Sequence, residues 1–484
     1  MKTTLSEEST RSIVSKLKDA NAGFTRAFPG EPEDRQPIHT VYGGAQLFRA
    51  DMAQRLGAGA KKALDEYGPD FVTFARGVGL PGAATLPSEL AEITALEAAL
   101  AKDPLAVRAA SPAAWLANTI YARVRSKIER EPVEDFRIDF EDGFGTRPDA
   151  EEDETAVRCA KELAKGDKER TLPPFYGIRI KSFAEETRVR GMRTLDIFLT
   201  TLVGELGRVP EGFRVTLPKV TIFEHVAALV ELFELLEKGL GLGAGSLKLE
   251  LMMEMTQSVI DENGSINQPK LLRAAKGRCI GGHFGTYDYT AGCNITAAHQ
   301  IMTHPSCSFA RHAMQVSLSR TGVFLSDGAT NVMPVPVHRA EEGATLSTSQ
   351  LSENRASVHA AWRLQYEHVQ DSLMRGFYQG WDLHPGQLPV RYASVYAFFL
   401  SGFDAAADRL RNFVAKAAQA TLLGDVFDDA ATGQGLLNYF LRGINSGAVS
   451  EEEVLSRTGL TLEEVQLRSF AKILEHRRKG VSPA

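Results

Sequence analysis

"FRIDFEDGFG", residues 136–145, sets Phe136, Ile138 and Phe140 in alternation with Arg137, Asp139 and Glu141, the period of two that a pleated strand imposes. Gly143 and Gly145 then end the run, and Asp139, Glu141 and Asp142 fall within four positions of one another. An edge strand could show these carboxylates to water, whereas a site would gather them. The neighbouring strands decide between the two readings.

Working outward, short apolar runs recur, each followed by a helix-like stretch. "FRIDFED" precedes "DAEEDETAVRCAKELAKG", "FYGIRIKS" precedes "RVRGMRTLDIFLTTLVGEL", and "GFRVTLPKV" precedes "FEHVAALVELFELLEKG". "SLKLELMMEM", "RCIGGHFGTYDY", "GVFLSDG" and "GWDLHPGQL" continue the series to residue 388, and "HTVYGG" near residue 40 supplies a first strand. The spacing of roughly 30 to 60 residues is that of βα units. Eight such units predict a (β/α)8 TIM-type barrel with its site at the C-terminal ends of the strands. A doubly wound open sheet fits the same repeat. The expected organisation is an N-terminal helical leader over 1–37, a barrel over 38–390 with a long insertion at about 50–134 after the first strand, and a helical C-terminal extension over 391–484.

The 484 residues are 43% hydrophobic and 24% charged, ordinary for a globular protein. A net charge of −6 argues against general binding of nucleic acid or anionic membranes. No run approaches the roughly 18 apolar residues of a membrane span, and the opening residues do not resemble a secretory signal. Cys159, Cys279, Cys293 and Cys307 form no CxxC pair, which fits reduced thiols. The expectation is a cytoplasmic protein. "GLGLGAG" (239–245) follows a helix and precedes a strand, the reverse of a nucleotide loop, and reads as a helix cap and turn. "VSEEEVLSRTGLTLEEVQ" (449–466) has a helix-turn-helix cadence, but its acidic second helix would repel phosphates.

In "GIRIKS", Arg179 and Lys181 share the face opposite Ile178 and Ile180; in "LKLELMMEM", Lys248, Glu250, Met252 and Glu254 oppose Leu247, Leu249, Leu251 and Met253. Charged faces of three strands thus converge on one interior, where each charge left without a partner would cost several kcal/mol. The strand ends carry Asp139, Glu141, Asp142, Arg179, Lys219, Glu254, Asp288 and Asp327. Any one of these carboxylates could be a structural ion pair, but the set leaves an acidic surplus that a divalent cation would neutralise. Oxygen donors without a His or Cys cluster suit Mg²⁺, or Mn²⁺, rather than zinc.

These motifs resemble those of the citrate lyase beta-subunit and HpcH/HpaI aldolase superfamily, the malyl-CoA lyase-like pyruvate-binding barrels. "FRIDFEDGFG" is similar to the family's D-x-E-D strand, "GIRIKS" stands at its R-x-N strand, and "TLPKV" at its P-K strand. "LMMEMTQSV" is similar to the I-E-T strand, "GGHFGTYDYTA" to the G-x-x-D segment, "GVFLSDG" to a strand with a late Asp, and "LHPGQL" to the H-P-x-Q strand. The matches follow in family order over residues 135–390. The resemblance implies Glu254 and Asp288 as metal ligands, with Asp139, Glu141 and Asp142 as the acidic shell around them. It implies Arg179 as a substrate clamp and Lys219 as a weaker catalytic candidate. Gly285, Thr286 and His384 become substrate-binding positions, although a structural histidine is an equal reading of His384. One departure is Lys181, which stands where the family has an amide.

The resemblance further implies a Mg²⁺-dependent carbon–carbon lyase or aldolase acting through a stabilised enolate of a 2-oxo acid or acyl-CoA thioester. A malate-synthase-like condensing enzyme is an alternative, as is a non-catalytic barrel serving as a binding or regulatory subunit. A small-molecule partner and a homo-oligomer are expected, with no nucleic-acid or membrane partner.

Overall fold

A computed structural model describes residues 3–32, 34–341, 343–415, 421–423, 426–428 and 430–478. Eight parallel strands close into a barrel in chain order: β1 His39–Gly44, β2 Asp135–Asp139, β3 Phe175–Arg179, β4 Phe213–Leu217, β5 Leu249–Met253, β6 Cys279–Phe284, β7 Phe324–Ala329 and β8 Gln379–Asp382. Closure runs through β1 and β8, with His39 beside Gly380 and Val41 beside Asp382. This is a (β/α)8 TIM-type barrel. Its first crossover is long, carrying the helices Met52–Tyr67, Phe71–Val78, Leu90–Lys102, Pro104–Ala110 and Pro112–Arg130 before β2 begins. The helix after β8, Leu388–Ser401, crosses residue 390, and further helices follow it. The open sheet that the repeat also allowed is excluded by closure.

Two compact units make up the chain. The first comprises Met1–Arg35, Asp139–Lys161 and Gly177–Gly328, and the second Gln36–Ile138, Glu162–Tyr176 and Ala329–Ala484. In the first, β4 to β7 pair in parallel, with a register shift between Leu249 and Glu250 against β6. Gly281 makes that irregularity workable, because a Cβ there would stand 3.1 Å from the Glu250 side chain. The interior face holds Glu250, whose Oε2 pairs with His283 Nε2 at 2.9 Å. The opposite face is apolar: Phe140 packs edge-on against Phe198, which stacks on Phe213. All three are buried, and full burial of each ring stabilises by about 1.5–3 kcal/mol. At the N-terminal ends of β4 and β5, Arg208, Arg214 and Lys248 line a cleft of about 430 Å³, on the end of a barrel that serves stability rather than chemistry.

In the second unit, the helix Leu388–Ser401 is buried along nearly its whole length. Its Arg391 donates to Asp382, which also pairs with His39 Nδ1 at 2.8 Å. Along β2, Asp135 is paired with Arg137 and accepts from Thr40 Oγ1 at 2.8 Å. "GLGLGAG" is a helix end, with Gly241 in the left-handed conformation after Phe223–Leu240. The segment at 449–466 forms two short helices, each opened by a capping box. Among the described residues no helix is long and apolar enough to cross a membrane.

Candidate active site at the strand ends

The acidic stretch turns out of β2 as a tight loop built on Asp139. Its Oδ1 accepts the Glu141 N–H at 3.0 Å and its Oδ2 the Gly143 N–H at 2.7 Å, a local side-chain-to-backbone closure typical of Asp. Gly145, at a φ of 75°, ends the turn and donates to the Glu141 carbonyl at 2.8 Å.

Arg179 arrives from the end of β3. Its Nε and Nη2 donate to the two oxygens of Asp139 at 2.7 and 2.6 Å, and Nη1 lies 3.1 Å from Glu141 Oε2. The two-pronged face that the resemblance assigns to a substrate is therefore engaged by Asp139, a charge-assisted bidentate pair. Burial alone would raise the Asp139 pKa, but the Arg179 charge outweighs it and the net shift is downward. Arg179 is held charged, because Asp139, Glu141 and Glu254 overcome its own desolvation.

Lys219 follows Pro218 at the end of β4 with a φ of 48°, in the left-handed region that side chains other than Gly enter at a cost of order 1 kcal/mol. The strain aims its backbone N–H at Glu254 Oε1, 2.8 Å away. Its ammonium is paired with Glu141, lies 3.1 Å from Asp142 and stands 3.9 Å from Asp288. Burial pulls the Lys219 pKa down, but Glu141 and the other carboxylates pull it further up.

Glu254 closes β5 and is 1% exposed. Burial, with added repulsion from Glu141 and Asp288, pushes its pKa up to about 8 in spite of Arg179 and Lys219. Glu141 is also raised, chiefly by burial. Gly285 lets the next strand end pass close by: a Cβ there would lie 2.4 Å from the Glu254 Cβ and 2.6 Å from its Oε2. One residue on, the buried Thr286 Oγ1 has no hydrogen-bond partner among the described residues. Asp288, in the first turn of the helix Thr286–Gly292, is partly exposed.

Of the residues singled out from sequence, Asp139, Glu141, Asp142, Arg179, Lys219, Glu254, Gly285, Thr286 and Asp288 all lie in the first unit, linked by the contacts above. Asp327 is drawn elsewhere, onto the buried Arg311 at 2.7 Å. His384 belongs to the second unit, where Nδ1 accepts the Gly386 N–H at 3.0 Å and burial lowers its pKa. Sequence reasoning passed over Glu152. It is fully buried and lies 3.1 Å from Lys181 Nζ, which also donates to the Phe140 carbonyl at 2.7 Å. The extra charge in the R-x-N position thus clamps the base of the acidic loop. Nothing in "DAEEDETAV" distinguishes Glu152 from acids that commonly open a helix.

Five carboxylates around two cations leave a net negative site. Among the described residues no three His, Cys, Asp or Glu side chains are arranged to hold a metal ion by themselves. Mg²⁺ does not require three, since it binds through one or two carboxylates and keeps waters. Glu254, with one oxygen bound to the Lys219 N–H, and the partly exposed Asp288 fit that role by donor chemistry.

A family model described as a domain of unknown function, DUF6986, matches residues 17–473. The chain belongs to this family. No curated protein matches the DUF6986 chain. Its fold is similar to that of a citrate lyase from Burkholderia xenovorans LB400, with a TM-score of 0.50 and 16% identity over 70% of this chain and 92% of that one. Haloferax volcanii malate synthase is similar as its magnesium/glyoxylate complex, with a TM-score of 0.41 and 17% identity over 93% of this chain and 100% of that one. In its pyruvate/acetyl-CoA ternary complex the TM-score is 0.38 at 18% identity, over 72% and 90% of the two chains. At 16% identity the likeness to the citrate lyase is one of fold.

Proposed function

We propose that this protein is a Mg²⁺-dependent carbon–carbon lyase or condensing enzyme acting through the enolate of a 2-oxo acid or an acyl-CoA thioester. One observation carries the reading: five acidic side chains gather around only two cations, and burial with the repulsion of Glu141 and Asp288 pushes the Glu254 pKa up to about 8. So much negative charge is costly in a structural core and becomes useful where a divalent cation and an anionic substrate meet.

Glu254 and Asp288 would hold the ion, Mg²⁺ or Mn²⁺, which supplies Lewis-acid stabilisation where enolate oxygen charge develops. Arg179, fixed by Asp139, adds a positive charge that cannot be lost and need not reorganise during reaction. The Thr286 hydroxyl, buried with no hydrogen-bond partner among the described residues, would donate to a substrate oxygen. Glu141, whose pKa is raised by burial, would take a proton and return it, the general acid–base step. Lys219 serves as charge and not as a nucleophile, because its ammonium is held protonated.

Proton exchange in D₂O tests the reading without knowledge of the full substrate pair. With Mg²⁺ present, the methyl protons of pyruvate, or those of acetyl-CoA, should exchange with solvent on the enzyme. The substrate that exchanges separates a 2-oxo-acid aldolase, which would exchange pyruvate, from an acyl-CoA lyase or malate-synthase-like enzyme, both of which would exchange acetyl-CoA. Glu254→Ala should abolish exchange and Mg²⁺ binding together. Absence of exchange on both compounds with no Mg²⁺ binding would leave the barrel as a binding or regulatory subunit.

A further inference from the structure

We propose that the Lys219 ammonium is a resident counter-ion of the acidic site, which a divalent cation must displace in order to bind. The inference rests on the reading that Glu254 and Asp288 take such an ion, and it concerns what this chain does before the ion arrives.

The geometry separates the two halves of Lys219. Its backbone, held at a φ of 48°, donates to Glu254 Oε1 at 2.8 Å, a contact that any side chain at the position would keep. Its side chain reaches across the site to Glu141 and Asp142 and stops 3.9 Å from Asp288. The ammonium therefore stands within ionic reach, at 3.9 Å, of a carboxylate that the ion would use, and two cations beside one carboxylate repel.

Which cation yields is also set by the structure. The Arg179 side chain is 5% exposed and fixed by two parallel hydrogen bonds to Asp139. The Lys219 side chain is 27% exposed, on a flexible four-carbon stem with a single charged point at its tip. Arg179 stays while the Lys219 ammonium swings away from Asp288 and the ion takes its share of the site's negative charge. In the absence of the ion, the ammonium keeps carboxylates that repel one another in a single arrangement.

Mn²⁺ binding to the full chain, measured by titration calorimetry, tests this on wild type, Lys219→Met and Lys219→Arg. Lys219→Met should bind Mn²⁺ at least tenfold more tightly than wild type, and Lys219→Arg should resemble wild type because the charge is kept. Binding by Lys219→Met alone also supports the proposal. Equal or weaker binding by Lys219→Met overturns it while leaving the divalent-cation reading intact. Failure of all three chains to bind overturns both. Far-UV circular dichroism establishes that the variants are folded, and Lys219→Gln replaces Lys219→Met if the latter is not.

Discussion

Asp139→Asn is the sharpest perturbation, because it removes one charge and almost no volume. Asp139 is 2% exposed and receives Arg179 Nε and Nη2 at 2.7 and 2.6 Å, besides the N–H groups of Glu141 and Gly143. An amide would turn one acceptor into a donor facing an Arg donor and would leave a buried guanidinium without its main counter-charge. Breaking a buried pair on one side costs about 3–5 kcal/mol. Glu141 at 3.1 Å and Asp142 at 3.7 Å still offset part of the Arg179 charge, so the lower end, about 3 kcal/mol, is expected. The sign with pH follows from the direction of the shift. The folded pKa lies below the ordinary 3.8, so the contribution is complete above about pH 4 and is lost as pH falls through the lowered value. Urea denaturation of wild type and variant at pH 7 and pH 3 reads both effects. Adding Arg179→Met to Asp139→Asn should recover much of the loss, since no buried cation then remains, and the double-mutant cycle gives the coupling. A coupling below about 1 kcal/mol at pH 7 would refute the pair as the anchor of the site.

Gly285→Ala should weaken Mg²⁺ binding and exchange activity by tenfold or more. Its Cβ would meet the Glu254 Cβ at 2.4 Å, and the thermal melt should report the 1–3 kcal/mol that overpacking typically costs. Lys181→Met should destabilise by about 1–3 kcal/mol in urea, because the fully buried Glu152 loses Lys181 at 3.1 Å while keeping Thr194 at 2.6 Å and Arg190 at 3.5 Å; Glu152→Gln in the same chain should restore part of it. Glu237 pairs with Arg278 and accepts the Gly245 and Leu247 N–H groups, and its pKa falls from 4.5 to about 2 because these contacts outweigh burial. That depression is worth about 3 kcal/mol, present above pH 4.5 and lost as pH falls toward 2. Glu237→Gln should therefore melt lower than wild type at pH 7 and approach it near pH 2.

Period-two alternation was enough to find the barrel, since in "FRIDFED" and "LKLELMMEM" the charged and apolar faces separate by simple counting. The strand-end carboxylates were legible for the same reason. What could not be read was who neutralises whom. Asp327 and Asp288 look alike as strand-end acids, yet Arg311, from the helix Pro305–Leu318, claims the first and leaves the second partly exposed. The Lys219 N–H to Glu254 depends on a left-handed backbone that no residue type announces at a lysine. The Arg179 fork was assigned to a substrate because its fit to a carboxylate is known; the sequence does not say that Asp139, forty positions earlier, already supplies that carboxylate.

The charge on the opening strand follows a gradient along its length. Asp135 and Arg137, both fully buried, neutralise each other and leave nothing over. Asp139, 2% exposed, is matched by Arg179 from the next strand. Glu141 and the more exposed Asp142 share one Lys219 that also reaches toward Asp288. Uncompensated charge is tolerated only as water becomes accessible, because the desolvation penalty falls with exposure. The deep layers must therefore be neutral, and a net charge can be kept only at the open end of the strand. Arg179, already engaged by Asp139, adds contacts of 3.1 Å to Glu141 and 3.7 Å to Asp142, so the two cations still serve more acids than they can neutralise. Here that shortage of positive charge falls beside the buried Glu254, whose pKa is pushed up to about 8, and it is this local surplus of acid that the proposed cation would offset.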